Sequence, residues 1–190
     1  MKLIQLRILI LISFVFLSLS NTAHAADISA GKDKAVACLQ CHGSNGNSKN
    51  AQYPSLAGQR AMYLESQLKN FQSGQRTNPI MQGIVGKLTK SDISNISAYF
   101  ADLTPEGAGA SDLSLAKKGQ EKFAMCAGCH GSSAQGRGGF PRLAGQQPEY
   151  IEKQLLSFKN RSRKGGPMNA MTSSLSEQDI KEIAAYLGNL

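Results

Sequence analysis

The chain has 190 residues, with 21 Lys and Arg against 13 Asp and Glu, four Cys, no Trp and a formal charge of +8. That length suits one domain or two small ones. The positive excess is modest, so nucleic acid is not expected as a partner, and no low-complexity tract points to disorder.

Residues 1–25 read as a targeting leader. Lys2 and Arg7 form a positive start, Ile8 to Leu19 is an apolar run broken only by Ser13 and Ser18, and Ala23-His24-Ala25 offers a signal-peptidase site. The run is shorter than the about 20 residues of a spanning helix, so cleavage after Ala25 is expected rather than a membrane anchor. No cysteine stands near the cleavage point to carry a lipid. The mature chain would start at Ala26 and hold 165 residues, 19 basic and 13 acidic, a formal +6.

Cys38-Leu39-Gln40-Cys41-His42 comes next, and Cys126-Ala127-Gly128-Cys129-His130 repeats its pattern. C-x-x-C-H is the attachment signature of a c-type haem. Two thiols on one helical turn can each add to a vinyl group, and the histidine after the second is held under the iron. The two motifs use every cysteine and both histidines beyond the leader. Nothing is left for a four-ligand zinc site, and no strand precedes either motif as a thioredoxin-like pair would require. The expected cofactors are two covalently bound haem c groups, tethered by Cys38, Cys41, Cys126 and Cys129, with His42 and His130 as axial ligands. Export agrees, because c-type haem is attached outside the cytoplasm in bacteria.

The rest of the chain repeats as well. Gly31 to Cys38 is echoed by Gly119 to Cys126, Pro54-Ser55-Leu56-Ala57-Gly58-Gln59 by Pro141-Arg142-Leu143-Ala144-Gly145-Gln146, and Tyr63 to Leu68 by Tyr150 to Leu155. The offset is 88 at the cysteine motifs and 87 from the prolines onward. The reading is therefore a leader (1–25), a first domain (26–104), a linker (105–111) and a second domain (112–190). Each half shows three helical stretches and no strand, an all-α architecture. They run from about Ile28 to Ala37, Arg60 to Gln72 and onward from Thr89, and from about Leu115 to Met125, Glu149 to Lys159 and onward from Ser176. Thr89 and Ser176 stand as N-caps, with Asp92 and Asp179 three residues on. Ile93, Ile96, Tyr99 and Phe100, and likewise Ile180, Ile183, Ala184 and Leu187, recur at helical spacing as core. Domains this small need a staple, and a tethered haem can supply it.

An electron-transferring haem needs a second axial ligand, and the mature chain has no histidine left to supply one. Methionine is suited, because its soft thioether favours Fe(II). Met81 and Met168 each stand seven residues before an aligned leucine, Leu88 and Leu175, on what reads as a loop after the second helix. Met62, Met125 and Met171 face Glu149, Ala37 and Ile84 in the other half, so none is duplicated. Met171 shares its segment with Met168 and is the alternative there; Met62 and Met125 read as ordinary packing or surface residues.

These features together resemble the dihaem cytochrome c4 family, tandem class I cytochrome c domains, over essentially the whole mature chain. The resemblance implies two haem domains facing each other and exchanging electrons. It implies that the carbonyls of Pro54 and Pro141 accept hydrogen bonds from the axial histidines, and that Leu56 and Leu143 pack on the haem edges. The halves differ where Asn78-Pro79-Ile80-Met81 meets Gly165-Gly166-Pro167-Met168. The implied function is a periplasmic electron carrier rather than an enzyme, taking single electrons from a membrane quinol-oxidising complex to a terminal oxidase or another acceptor. It is either soluble or peripherally associated with the membrane. The alternatives are a dihaem subunit serving a dehydrogenase such as a flavoprotein and, third, a haem enzyme. Lys159, Arg161, Arg163 and Lys164 cluster before Met168 and are candidates for docking an acidic redox partner.

Overall fold

The computed structural model describes residues 25–109 and 112–190; the leader reading (1–25) lies outside them but for Ala25. The first half holds α1 (Ile28–Lys34), α2 (Val36–His42), α3 (Ala61–Gln72), α4 (Pro79–Val85) and α5 (Lys90–Asp102). The second holds α6 (Leu113–His130), α7 (Pro148–Lys159), α8 (Pro167–Thr172) and α9 (Glu177–Gly188). Among the described residues there is no strand, only an isolated bridge between Arg137 and Phe140, and no helix is long and apolar enough to cross a membrane.

Both last helices begin at full capping boxes. The Thr89 hydroxyl accepts from the Asp92 amide while the Asp92 carboxylate accepts from the Thr89 amide, and Ser176 and Asp179 do the same. The expected core positions of α5 and α9 are buried, Ile93, Ile96 and Phe100 each 1 % exposed and Ala184 0 %. Each half packs its own core. In the first, Leu64, Ile96, Tyr99 and Phe100 meet Ala35; in the second, Phe123 and Ile151 meet Ile180, Ile183 and Leu187.

The first and last helices of each half cross at a glycine. A Cβ on Gly31 would sit 2.1 Å from the Asn95 carbonyl oxygen, and one on Gly119 would sit 1.9 Å from that of Glu182. Only a residue without a side chain lets the two backbones come this close. In the second half the crossing is tied by Lys122, which pairs with Asp179 and, at 2.8 Å, with Glu182.

Three local features differ from the sequence reading. The cysteine motifs are helical themselves, closing α2 and α6, and the first half breaks its leading helix at Ala35 where the second runs through. Each methionine segment is a short helix rather than a loop. Asn78 caps α4 by accepting from the Met81 amide, and prolines at the first helical positions of α4 and α8 preset the backbone. The stretch entered as a linker is pinned at its start: the Asn47 side chain donates to the Thr104 carbonyl and accepts from the Glu106 amide, and Glu106 meets Asn45 and Lys49.

Candidate functional site

His42 closes α2 and His130 closes α6, and both rings are buried. Their Nδ1 atoms lie 2.8 Å from the Pro54 carbonyl oxygen and 3.0 Å from that of Pro141. A carbonyl can only accept, so each Nδ1 carries the proton and each Nε2 keeps its lone pair. Burial pulls both imidazoles below their ordinary pKa, against the opposing pull of the proline bonds, so both rings are neutral at neutral pH. Tyr53 meets His42 edge-on at 6.3 Å and Phe140 meets His130 at 6.2 Å.

One cavity of about 800 Å³ lies between the halves and is lined by both histidines, both cysteine pairs, Met81, Met168 and Met171. Met81 is the third residue of α4 and Met168 the second of α8; both are half-buried, whereas Met171 is 38 % exposed. Leu56 and Leu143 line the cavity and pack against the first and second cores. Burial pushes the Cys38 and Cys126 thiols up, with Cys41 and Cys129 beside them adding to the effect. Both therefore stay thiols at neutral pH.

The cavity wall includes Arg76, Arg142, Lys153, Arg163 and Lys164 and, among the described residues, no Asp or Glu. Arg142 has a buried Nε without a hydrogen-bond partner, and burial pulls its guanidinium below the ordinary value. A cavity with apolar walls, neutral imidazoles, paired thiols and unmatched cations fits a large apolar group that carries carboxylates. Haem c, with its propionates, is such a group.

The halves meet through matched contacts. The Gln59 side chain accepts from the Arg142 amide at 2.7 Å and donates to the Arg142 carbonyl at 2.9 Å. Gln146 makes the same pair with Ser55, at 2.8 and 3.0 Å. Both glutamines are buried, and each ends a repeated P-x-L-A-G-Q loop.

The family profile of cytochrome c matches residues 28–104 and 116–190. A cytochrome c4 of Pseudomonas aeruginosa is 36% identical over 190 residues, covering 92% of this chain and 94% of the relative. The chain belongs to the cytochrome c4 family. The crystal structure of reduced recombinant cytochrome c4 from Pseudomonas stutzeri superimposes with a TM-score of 0.83 at 33% identity, covering 87% of this chain and all of that one. A thiosulfate dehydrogenase electron acceptor of Thiomonas intermedia is 35% identical over 181 residues, covering 87% of this chain and 83% of the relative. A cytochrome c4 fold means an all-α pair of cytochrome c domains, the kind that binds haem c covalently and carries electrons.

The four cations before Met168 do not form one outward surface. Arg161 and Lys164 are exposed. Lys159 caps the chain before α9, donating to the carbonyls of Ser173 and Leu175. Arg163 turns inward, over the Phe158 ring at 4.4 Å and bonded to Tyr63 of the first half at 3.0 Å. Sequence reasoning passed over Arg76, Gln59 and Gln146, although each has its duplicate 87 residues away.

Proposed function

We propose that the chain is a periplasmic dihaem electron carrier, with a cleaved leader (1–25), haem domains at 26–104 and 112–190 and a linker between them. The reading rests on the paired histidine–proline hydrogen bonds, which aim two neutral imidazoles at one cavity with a methionine helix in each half. Cys38 and Cys41, and Cys126 and Cys129, are the tethers. To hold haem c, each of these thiols would form a thioether by adding its S–H across a vinyl group, the sulfur to one carbon and the hydrogen to the neighbouring one. His42 and His130, held in a single tautomer by Pro54 and Pro141, would each bind the iron through Nε2. Met81 and Met168 would supply the second ligand to each iron, and Leu56 and Leu143, which line the same cavity, would pack against the haem. When bound, haem c supplies an iron that takes up and releases one electron.

With a histidine and a methionine from the chain on each iron, no position would remain for a substrate, which favours a carrier over an enzyme. The donor is a quinol-oxidising complex and the acceptor a terminal oxidase or similar protein, with Arg161 and Lys164 as the free cations for docking. A second reading, acceptor for a dedicated dehydrogenase, has support from the 35% identical relative that serves thiosulfate dehydrogenase.

The test is mass spectrometry and optical spectroscopy of the exported protein. Two haems added per chain are expected, together with the far-red charge-transfer band of methionine-ligated ferric haem. Met81→Ala and Met168→Ala should each remove about half of that band, and Met171→Ala none. One haem per chain, or a band lost with Met171 and kept without Met168, refutes the assignment.

A further inference from the structure

Arg76 stands five residues before Met81 and Arg163 five before Met168. Among the described residues neither arginine has an acidic partner. Each guanidinium lies over a ring of its own half, Arg76 over Phe71 at 4.6 Å and Arg163 over Phe158 at 4.4 Å. Beyond that ring, each reaches into the other half. Arg76 Nη2 donates to the Tyr150 hydroxyl at 3.0 Å and to Gln154 Oε1 at 2.9 Å, and its Nη1 donates to Gln67 Oε1 at 2.9 Å. Arg163 Nη2 donates to the Tyr63 hydroxyl at 3.0 Å and to Gln67 Oε1 at 2.8 Å, and its Nη1 donates to Gln154 Oε1 at 2.6 Å. The two arginines and two glutamines form a closed ring across the interface, with a tyrosine at each side.

Most of what surrounds these arginines in sequence is exposed. Residues 73–75 and Thr77 are exposed in the first half, as are residues 160–162 and Lys164 in the second, with Thr77, Ser162 and Lys164 at the border of the cavity. Each arginine is therefore the inward anchor of the stretch leading to a methionine helix. We propose that Arg76 and Arg163 are positioning residues that hold each methionine helix from the opposite half, so that Tyr150 and Gln154 support Met81 while Tyr63 and Gln67 support Met168. The proposal rests on the two methionines being axial ligands. Its consequence is that neither site is complete within its own half. A disturbance in one half is felt as weaker ligation in the other.

The tyrosines separate the two directions, because Tyr63 bonds only Arg163 and Tyr150 only Arg76 among these groups. The experiment uses holoprotein carrying Met81→Ala, in which the remaining far-red band reports Met168 alone. A deprotonated competitor, lysine or hydroxide, displaces methionine as pH rises, so the midpoint of band loss measures how firmly the methionine is held. Losing one hydrogen bond to a charged group weakens that hold about tenfold, which lowers the midpoint by about one pH unit. Adding Tyr63→Phe should give that shift, and adding Tyr150→Phe should leave the midpoint in place. A shift from both, or from neither, overturns the crossed clamp. If Met81→Ala alone spares the whole band, the ligand assignment fails and the clamp falls with it. A halved band with silent tyrosines refutes the clamp alone.

Discussion

Replacing Gly119 by alanine should destabilise the second half despite alanine's advantage as a helix former. The new Cβ would lie 1.9 Å from the Glu182 oxygen, 2.4 Å from its carbonyl carbon and 2.9 Å from Tyr186 Cβ. Two of these atoms are backbone, so no rotamer change relieves the overlap and α6 and α9 must part. Overpacking of this kind costs roughly 3 kcal/mol, at the upper end of the usual range because the obstacle is rigid. Alanine returns about 1 kcal/mol of helix propensity. The net loss is about 2 kcal/mol, or a fall of about 8–16 °C in melting temperature for a domain of this size. Gly128, in the same helix, is the control, since a Cβ there meets nothing within 4 Å and Gln40 already occupies its counterpart position. Gly128→Ala should stabilise by about 1 kcal/mol. Denaturant unfolding of the two holoproteins, followed by far-UV circular dichroism and by haem absorbance, decides the matter. Equal or greater stability of Gly119→Ala would show that the helices are not in contact at this residue.

The charged groups at the helix crossings predict a stability plateau with two edges. Asp92 is held below the usual carboxylate range by the Thr89 amide and hydroxyl, then by Lys34, and Asp179 and Glu182 are held low first by Lys122. Depressed carboxylates stabilise the fold above their unfolded values near pH 4, and that stability goes as pH falls through the lower folded values. Lys122 is raised by Asp179 and Glu182, so its contribution holds below its ordinary value of 10.5 and disappears as pH climbs through the raised one. Thermal melts across pH should show both edges, and Lys122→Gln should soften both; an unaltered profile in that variant would remove Lys122 from the account. At the interface, Gln59→Ala with Gln146→Ala deletes four hydrogen bonds to the Arg142 and Ser55 backbones and should cost about 1–2 kcal/mol per glutamine. Calorimetry should then resolve two transitions, whereas one unshifted transition would mean the glutamines contribute nothing to joining the halves.

What could be read beforehand follows the range of the forces involved. Thr89 and Ser176 announced their helices because a cap is local chemistry, and Ile93, Ile96, Tyr99 and Phe100 announced their core face by spacing alone. The short helices carrying Met81 and Met168 read as loops in the sequence because six or seven residues give no period to detect. The signals present were Asn78-Pro79 and Pro167. Arg163 reads as one of a cluster with Lys159, Arg161 and Lys164 because sequence reports charge and not direction. The duplication held the missing information: Arg163 has Arg76 as its counterpart, while Lys159, Arg161 and Lys164 face Gln72, Gly74 and Thr77. A cation kept at both copies has a role shared by both. The break at Ala35 has no counterpart in α6, and nothing in the two sequences accounts for it.

The matched glutamine and arginine contacts have the form of a two-fold dimer interface, in which each partner gives what it receives. Two separate identical subunits meeting this way would be bound to carry identical irons, and neither could serve as entrance or exit. Placing both on one chain keeps the contact at high local concentration while letting each copy vary alone. Asn78-Pro79-Ile80 can then differ from Gly165-Gly166-Pro167, and Arg142 from Ser55, while the matched contacts stay in place. Symmetry of contact combined with freedom of sequence lets the two copies diverge while their contact stays matched.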